Sequence, residues 1–177
     1  MLKNVHRPKR PELVKALLLE AGAQLLASGD QLSIGAVADL AGVTKGVVQH
    51  HFPTREALVI ALYEHLAATF QAAVADDDSG ASAAWRYARP VLAAQDDQPS
   101  DHGKALLATC VVERAVASKW AAWVQAERAQ DGPNINKLLA RLAVDGLWLS
   151  EVLGIYDLSP VEREALTQAI HQLAEGV

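Results

Sequence analysis

Four side chains that can bind a polyanion or a base lie close together in the sequence: Lys45, Gln49, His50 and His51. Lysine and histidine donate hydrogen bonds to phosphate oxygens, and a glutamine amide pairs bidentately with adenine in the major groove of DNA. The two histidines also suggest a metal site. However, adjacent residues of a helix diverge by about 100°, and no cysteine or acidic residue lies at ligand spacing. Two interpretations of the cluster stay open at this point, a nucleic-acid contact and an ordinary solvated polar face, and no bound metal is expected.

A second set of residues combines large aromatic and polar side chains in the later part of the chain. Asp145 is the most informative, because the spacing 138, 142, 145, 149 places its carboxylate among leucines, where an unpaired charge is costly. Either it pairs with Arg141 or Arg114, or it orients a cationic or hydrogen-bonding ligand. The tryptophans suit core packing or pocket walls, and the single cysteine suits a core position or a redox sensor. The candidate ligand-binding residues are Trp85, Cys110, Glu113, Trp120, Trp123, Asp145 and Trp148.

The residue patterns of common enzymes are not found in the sequence. It has no Ser-His-Asp ordering, no HExxH and no phosphate-cradling glycine loop. Asp76, Asp77 and Asp78 suggest a cation site, but no further ligands follow in register, so a charged loop is the better interpretation. One cysteine excludes an internal disulfide and a multi-cysteine metal site. We therefore expect a protein that is not an enzyme and has no cofactor.

The elements that position these residues are predicted to be helices. Alanine and leucine dominate and aromatic residues are only 5%, so the chain is all-α, with about nine helices. A first helix is predicted from Pro11 to about Ala27. Ser33 can cap a short helix from Ile34 to Leu40, and after an Ala-Gly-Val turn Thr44 can cap a second short helix from Lys45 to about His51. Two short helices braced on a longer one form a helix-turn-helix pattern.

Residues 32–58 resemble the DNA-binding signature of the TetR family of transcriptional regulators. The turn glycine, Lys-Gly at the start of the second short helix, His-Phe-Pro at its end and the Arg-Glu pair that follows all agree with that family. Two residues depart from it: Gln49 stands where most members have tyrosine, and Gly35 where many have a longer base-contacting side chain. The resemblance implies that the second short helix enters the major groove and that His51 is a phosphate donor. Val47 is expected to point at the groove, where its side chain suits a thymine methyl. The expected DNA-contacting residues are Ser33, Thr44, Lys45, Gly46, Val47, Gln49, His50, His51 and Arg55.

The chain is predicted to have two domains, a DNA-binding head (residues 1–54) and a ligand-binding and dimerisation body (residues 55–177). A linker helix capped by Thr54 is expected to reach about Ala75. Further helices are expected at about 81–94, 104–117, 118–129, 135–153 and 160–175, with Pro90 kinking or shortening the first of these. The last two helices are strongly apolar, and the resemblance implies that they form a four-helix bundle with a second copy. The residues of this seam are expected to be Leu138, Leu139, Leu142, Leu149, Val152, Val161, Ala165, Ile170 and Leu173.

Charge distribution supports a DNA partner for the head alone. The net charge is −5, yet residues 1–52 hold six basic and four acidic side chains, including Lys3, Arg7, Lys9 and Arg10. The field that acts on DNA is local within about a Debye length, so a basic head on an acidic body suffices. No apolar run approaches the ~18 residues of a membrane helix, and the first ten residues lack a signal-peptide core. We therefore expect a cytoplasmic protein with no membrane partner.

Two classes of function remain open at this point. The first is a dimeric DNA-binding regulator, a repressor that releases its operator when a small-molecule effector binds the body. An activator fits the same residues, because promoter position decides the direction of regulation. The second class is a helical interaction module, or an enzyme with a head that only resembles a helix-turn-helix.

Overall fold

The computed structural model describes residues 11–76, 79–93 and 101–176. Over these residues it is built of α-helices and contains no strand, so the all-α prediction is confirmed. The basic residues Lys3, Arg7, Lys9 and Arg10, and Asp77 and Asp78 of the acidic loop, lie outside the described residues. The helices are α1 (Pro11–Ala27), α2 (Ile34–Leu40), α3 (Lys45–His51), α4 (Arg55–Ala75), α5 (Ala83–Leu92), α6 (Asp101–Val112), α7 (Arg114–Ala129), α8 (Ile135–Leu153) and α9 (Pro160–Glu175).

The first three helices have the predicted bounds, and local features mark the start of α2 and the turn before α3. The Ser33 hydroxyl accepts a hydrogen bond from the Ala36 N–H at 3.0 Å and so begins α2. Gly42 adopts φ +66° in the turn before α3, a conformation that favours glycine. Thr44 has the extended backbone of an N-cap, but its side chain makes no capping hydrogen bond. The prediction of the cap position was right, and the expected hydrogen bond is not formed.

Helix α4 joins the three-helix head to the rest of the chain through a shared core. Leu58, Leu62 and Leu66 of α4 are buried in the same cluster as Leu18 of α1. The two helices approach closely at Gly22, where a Cβ atom would lie 2.9 Å from Leu62 Cδ1. By length and composition α4 would also qualify as a membrane span, with a mean hydropathy of 1.4. Helix α4 packs against α1 and α6 in the first core cluster, and this packing explains why the helix is so apolar.

The boundary between α6 and α7 differs from the prediction. The sequence suggested a break at residues 117 and 118, whereas α6 ends at Val112 and α7 begins at Arg114. Glu113 lies between them with an extended backbone, and its carboxylate accepts a hydrogen bond from the Ala115 N–H at 3.2 Å. This glutamate therefore acts as the N-cap of α7. Neither glycine nor proline marks the position, so the sequence offered no strong signal for it.

A second core cluster joins α5, α8 and α9. It includes Tyr87, Val144 and Ile170, all nearly inaccessible to solvent.

Pro90 lies inside α5, which continues for only two more residues, to Leu92. Helix α9 begins with a capping box in which the side chain of Ser159 and that of Glu162 each accept a hydrogen bond from the other residue's backbone N–H.

One apolar face of α8 and α9 is left exposed by this packing. Ile170 points into the second core cluster and Leu173 is half-buried beside it, so part of the seam expected from the sequence is used within the chain. Leu138 and Val152 of the expected seam are also half-buried. Seven other large apolar side chains of the two helices are at least 39% exposed. They are Ile135, Leu139, Leu142, Leu149 and Leu153 of α8, and Val161 and Leu166 of α9.

Candidate nucleic-acid interface and internal cavity

Helix α3 presents an exposed face to solvent that carries mostly polar side chains. Val48 is fully buried, and Phe52, which ends the helix, is 3% exposed, so these two side chains fix α3 on the core of the head. His51 is partly buried, and His50 lies edge-on against it with ring centroids 5.4 Å apart. The other predicted contact residues of the helix and its cap are exposed: Thr44, Lys45, Gly46, Val47, Gln49 and His50. The exposed face extends along the whole length of α3, so a partner can contact the helix from end to end.

The side chain of Lys45 extends from α3 across the first turn of α2. A Cβ atom placed on Gly35 would lie 3.2 Å from Lys45 Cε and 3.4 Å from its Nζ. The lysine thus occupies the space next to Gly35 that a longer side chain on α2 would fill. Sequence reasoning noted the missing side chain at Gly35, but it did not connect that space with Lys45. The positive charge consequently lies between the two helices of the helix-turn-helix.

Arg55 and Ser33 position the helices that carry this face. The Nε–H of Arg55 donates to the Leu32 carbonyl oxygen at 3.0 Å, which ties the start of α4 to the segment before α2. The Ser33 hydroxyl is occupied by the cap of α2. Both residues lie near the exposed face, and the guanidinium of Arg55 remains exposed. Over the described residues no group of three histidine, cysteine or acidic side chains could hold a metal ion.

The body contains a cavity of about 200 Å³ between α4, α5, α6 and α8. Trp148 is the one member of the predicted ligand-binding set that lines it. Glu151 adds a carboxylate to the wall and forms an ion pair with Arg163 of α9. The lining residues are Leu66, Thr69, Phe70, Ala73, Pro90, Val91, His102, Gly103, Leu106, Trp148 and Glu151. The site is therefore mostly apolar, with a few polar groups, as small-molecule sites commonly are.

Phe70 is the centre of an aromatic cluster that forms one side of the cavity. Its ring is parallel to that of Trp148 within 7°, with centroids 6.4 Å apart, and edge-on to Tyr87, Trp120 and Trp123 at 5.6 to 5.8 Å. Trp120 and Trp123 therefore pack behind Phe70 and do not line the cavity. Phe70 follows Leu58, Leu62 and Leu66 at helical spacing along α4, and no local pattern in the sequence shows which helix will face it.

Asp145 has a different partner from those considered in the sequence. The Tyr87 hydroxyl donates to its carboxylate at 2.6 Å, whereas the Arg141 Nε–H donates to Asp131 at 2.7 Å. The guanidinium of Arg141 also lies 4.8 Å from the centre of the Tyr87 ring. Burial raises the pKa of Asp145 above its usual value, while the hydrogen bond from Tyr87 and the charge of Arg141 partly lower it. The expected ion pair with Arg141 is thus replaced by a hydrogen bond with tyrosine.

The other three predicted ligand residues lie outside the cavity wall. Trp85 packs edge-on against His171 with ring centroids 4.5 Å apart, and Glu113 caps α7. Cys110 is half-buried against the core that α1, α4 and α6 share. Burial raises the pKa of the Cys110 thiol above its usual value, which disfavours the reactive thiolate. Their surroundings are those of packing and capping residues.

Comparison with known proteins identifies the family of the chain. The profile of the family described as "Bacterial regulatory proteins, tetR family" matches residues 18–62, which cover the head. A second profile, "Tetracyclin repressor-like, C-terminal domain", matches residues 81–175, more than half of the chain. The chain belongs to the TetR family. It is therefore a DNA-binding transcriptional regulator, not an enzyme, with an N-terminal helix-turn-helix and a C-terminal ligand-binding domain.

Solved structures of other TetR-family proteins share the fold over nearly the whole chain. A regulator from Rhodococcus sp. is 23% identical, with a TM-score of 0.69 over 92% of this chain and 99% of that one. A TetR-family member from Streptomyces coelicolor A3 is 22% identical, with a TM-score of 0.68 over 91% and 98%. The multidrug binding protein EbrR, complexed with imidazole, is 21% identical, with a TM-score of 0.66 over 98% and 97%. None of the curated protein sequences matches the chain.

Proposed function

We propose that this TetR-family regulator is a cytoplasmic homodimeric repressor that leaves its operator when a small molecule occupies the cavity of the body. The observation that carries the proposal is the face of α3, which is exposed along its length while Val48 and Phe52 hold the helix on the core. A helix presented in this way fits the ~12 Å major groove of B-DNA. We further propose residues 1–54 as the DNA-binding domain and residues 55–177 as the ligand-binding and dimerisation domain.

Specific groups on this face suit a DNA partner. Lys45 suits phosphate oxygens because its ammonium group is positively charged. The backbone N–H groups at the start of α3 suit them as well, because they carry partial positive charges. Gln49 is exposed on the next turn, where its amide suits adenine, and Val47 suits a thymine methyl. Under this proposal Arg55 holds α4 against the segment before α2 while its exposed guanidinium meets the phosphate backbone.

The exposed apolar face of α8 and α9 supports the homodimer. Exposed contiguous apolar surface is uncommon on soluble monomers and marks interaction sites. Leu142 is 58% exposed and Leu149 43%, on the side of α8 opposite its buried Val144. A two-fold dimer through this face would bury these leucines against their symmetry mates and supply two α3 helices for two half-sites one DNA turn, about 34 Å, apart.

The cavity supports the effector step because one of its walls touches the head. His102 and Gly103 of α6 line the cavity, and the Nε2 atom of the same His102 lies 3.6 Å from the Glu20 carboxylate of α1. A ligand that shifts the start of α6 would therefore act directly on a head helix. Small-molecule complexes of structurally similar proteins agree with this role, since EbrR has been solved with imidazole and with ethidium.

The test begins with DNA selected by the protein from a library of randomised duplexes. Lys45→Ala should weaken binding to the selected operator and lower the slope of log affinity against log salt by about 1, because one phosphate contact is lost. Lys15→Ala is the matched control, since Lys15 is an exposed lysine on α1 outside the proposed DNA-contacting set. Equal operator affinity of both variants and the unaltered protein, or a selection that enriches no sequence, would contradict the proposal.

A further inference from the structure

The charge and shape of the cavity wall indicate a class of effector; this inference rests on the proposed function. Glu151 is the one carboxylate among the described lining residues, and its side chain is only 13% exposed. It shares the wall with the parallel rings of Phe70 and Trp148. A carboxylate beside aromatic faces attracts cations in two ways, through its own charge and through the ring quadrupoles.

The cavity is half-open to solvent, so its volume indicates how much of a ligand it can enclose. Sites for drug-sized molecules measure about 300–1,000 Å³. At about 200 Å³ this cavity lies below that range. One or two fused rings with a compact charged group fit such a space, whereas a polycyclic dye would extend from its mouth into solvent.

Arg163 already neutralises Glu151 in the structure. It comes from α9, it is 29% exposed, and it reaches the carboxylate from outside the cavity lining. We propose that the effector is a small aromatic cation whose ring lies against Phe70 and Trp148 and whose charge displaces Arg163 from Glu151. Because Arg163 is more exposed than Glu151, water can solvate the released guanidinium, while the carboxylate keeps a cationic partner.

The proposed exchange predicts that removing Glu151 weakens binding of the cation and that removing Arg163 strengthens it. Removing the carboxylate takes away the counter-ion of the ligand. Removing the arginine instead takes away its competitor. If the ion pair were purely structural, both substitutions would change the affinity for the cation in the same direction, because each would loosen the contact between α8 and α9.

The experiment measures binding by calorimetry with three bicyclic probes: N-methylquinolinium as the cation, quinoline at pH 8 as the neutral form, and 1-naphthoate as the anion. We expect N-methylquinolinium to bind about tenfold more tightly than quinoline. Glu151→Gln should remove this advantage and leave the affinity for quinoline unchanged. Arg163→Gln should strengthen binding of the cation. Glu164→Gln, at an exposed glutamate of α9, is the matched control and should change neither affinity.

A double variant protects the test against loss of folding. If Arg163→Gln unfolds because Glu151 is left unpaired, Glu151→Gln combined with Arg163→Gln keeps the cavity neutral and should bind both probes equally. Equal affinities for cation and neutral probe in the unaltered protein, or tighter binding of 1-naphthoate, would overturn the assignment of the effector class. So would an unchanged cation affinity in Glu151→Gln, or no binding of N-methylquinolinium at all. None of these results would affect operator selection by the head, so the proposed function is tested separately.

Discussion

Breaking the buried ion pair between Asp131 and Arg141 should destabilise the fold strongly. Both side chains are almost fully buried, at 2% and 3% exposure, and the Arg141 Nε–H donates to the Asp131 carboxylate at 2.7 Å. The second oxygen of Asp131 accepts from the Ala84 N–H at 2.9 Å, so this carboxylate joins the α7–α8 turn to both α5 and α8. Asp131→Ala would leave a buried guanidinium without its counter-ion.

The expected cost is about 3–5 kcal/mol, the usual result of removing one partner of a buried ion pair. A protein of this kind has about 5–15 kcal/mol of total stability, so the variant should unfold at a much lower urea concentration. Combining Asp131→Ala with Arg141→Met should recover a large part of the loss, because no charge then remains buried and unpaired.

The matched control is the ion pair between Lys119 and Glu64. Its N–O distance is 2.8 Å, nearly the same as in the buried pair, but its side chains are 50% and 59% exposed. Exposed pairs contribute about 0–1 kcal/mol, so Glu64→Ala should shift the urea midpoint only slightly. If Asp131→Ala and Glu64→Ala cost the same free energy of unfolding, the reasoning from burial is wrong.

Three further changes test other parts of the structure. Leu142→Glu should give monomers in analytical ultracentrifugation, because it places charge in the proposed seam, whereas Leu40→Glu on the head should leave a dimer. Dimers for both variants, or a monomeric unaltered protein, would contradict the proposed dimer interface. Gly22→Ala should cost about 1–3 kcal/mol in thermal unfolding, since the new methyl group would lie 2.9 Å from Leu62; an unchanged melting temperature would show that the helices separate easily. Asp145→Asn should gain stability relative to the unaltered protein as pH rises above about 4, the usual pKa of an aspartate. Burial raises the pKa of the native carboxyl, so the native state binds more protons than the unfolded chain and loses stability as pH rises toward the raised pKa. A stability difference that does not vary with pH in urea unfolding would refute this.

The head was predictable from its sequence because each boundary depends on residues next to it. Ser33 and Thr54 begin α2 and α4 through side-chain hydrogen bonds, and Gly42 turns the chain between α2 and α3 through a left-handed backbone. The α6–α7 boundary was missed because its determinant, Glu113, caps a helix without glycine or proline nearby. Glutamate is not among the residues that usually mark an N-cap, so the sequence carried little information there.

The cavity could not be predicted because its wall comes from four helices that are distant in sequence. Phe70, Glu151 and His102 lie on three of them, and each has an ordinary place in the pattern of its own helix. Asp145 shows the same limit. The sequence left Arg141 or Arg114 as possible ion-pair partners of Asp145. In the structure Tyr87 of α5 donates a hydrogen bond to Asp145, and Arg141 pairs with Asp131 of the α7–α8 turn. Helical spacing shows which residues share a face, and tertiary packing decides what that face meets.

The shared core gives a physical reason for the head and body to respond together. Leu18 of α1 belongs to the same buried cluster as Leu62 of α4 and Leu106 of α6, and Leu106 also lines the cavity. Packed interiors transmit displacement because they contain few voids to absorb it. Under the proposed function, a ligand against Leu106 need favour the DNA-incompetent arrangement by only about 1–3 kcal/mol to lower operator affinity 5- to 150-fold. That coupling is smaller than the total stability of about 5–15 kcal/mol expected for a folded protein of this kind, so the head can be released without unfolding the body.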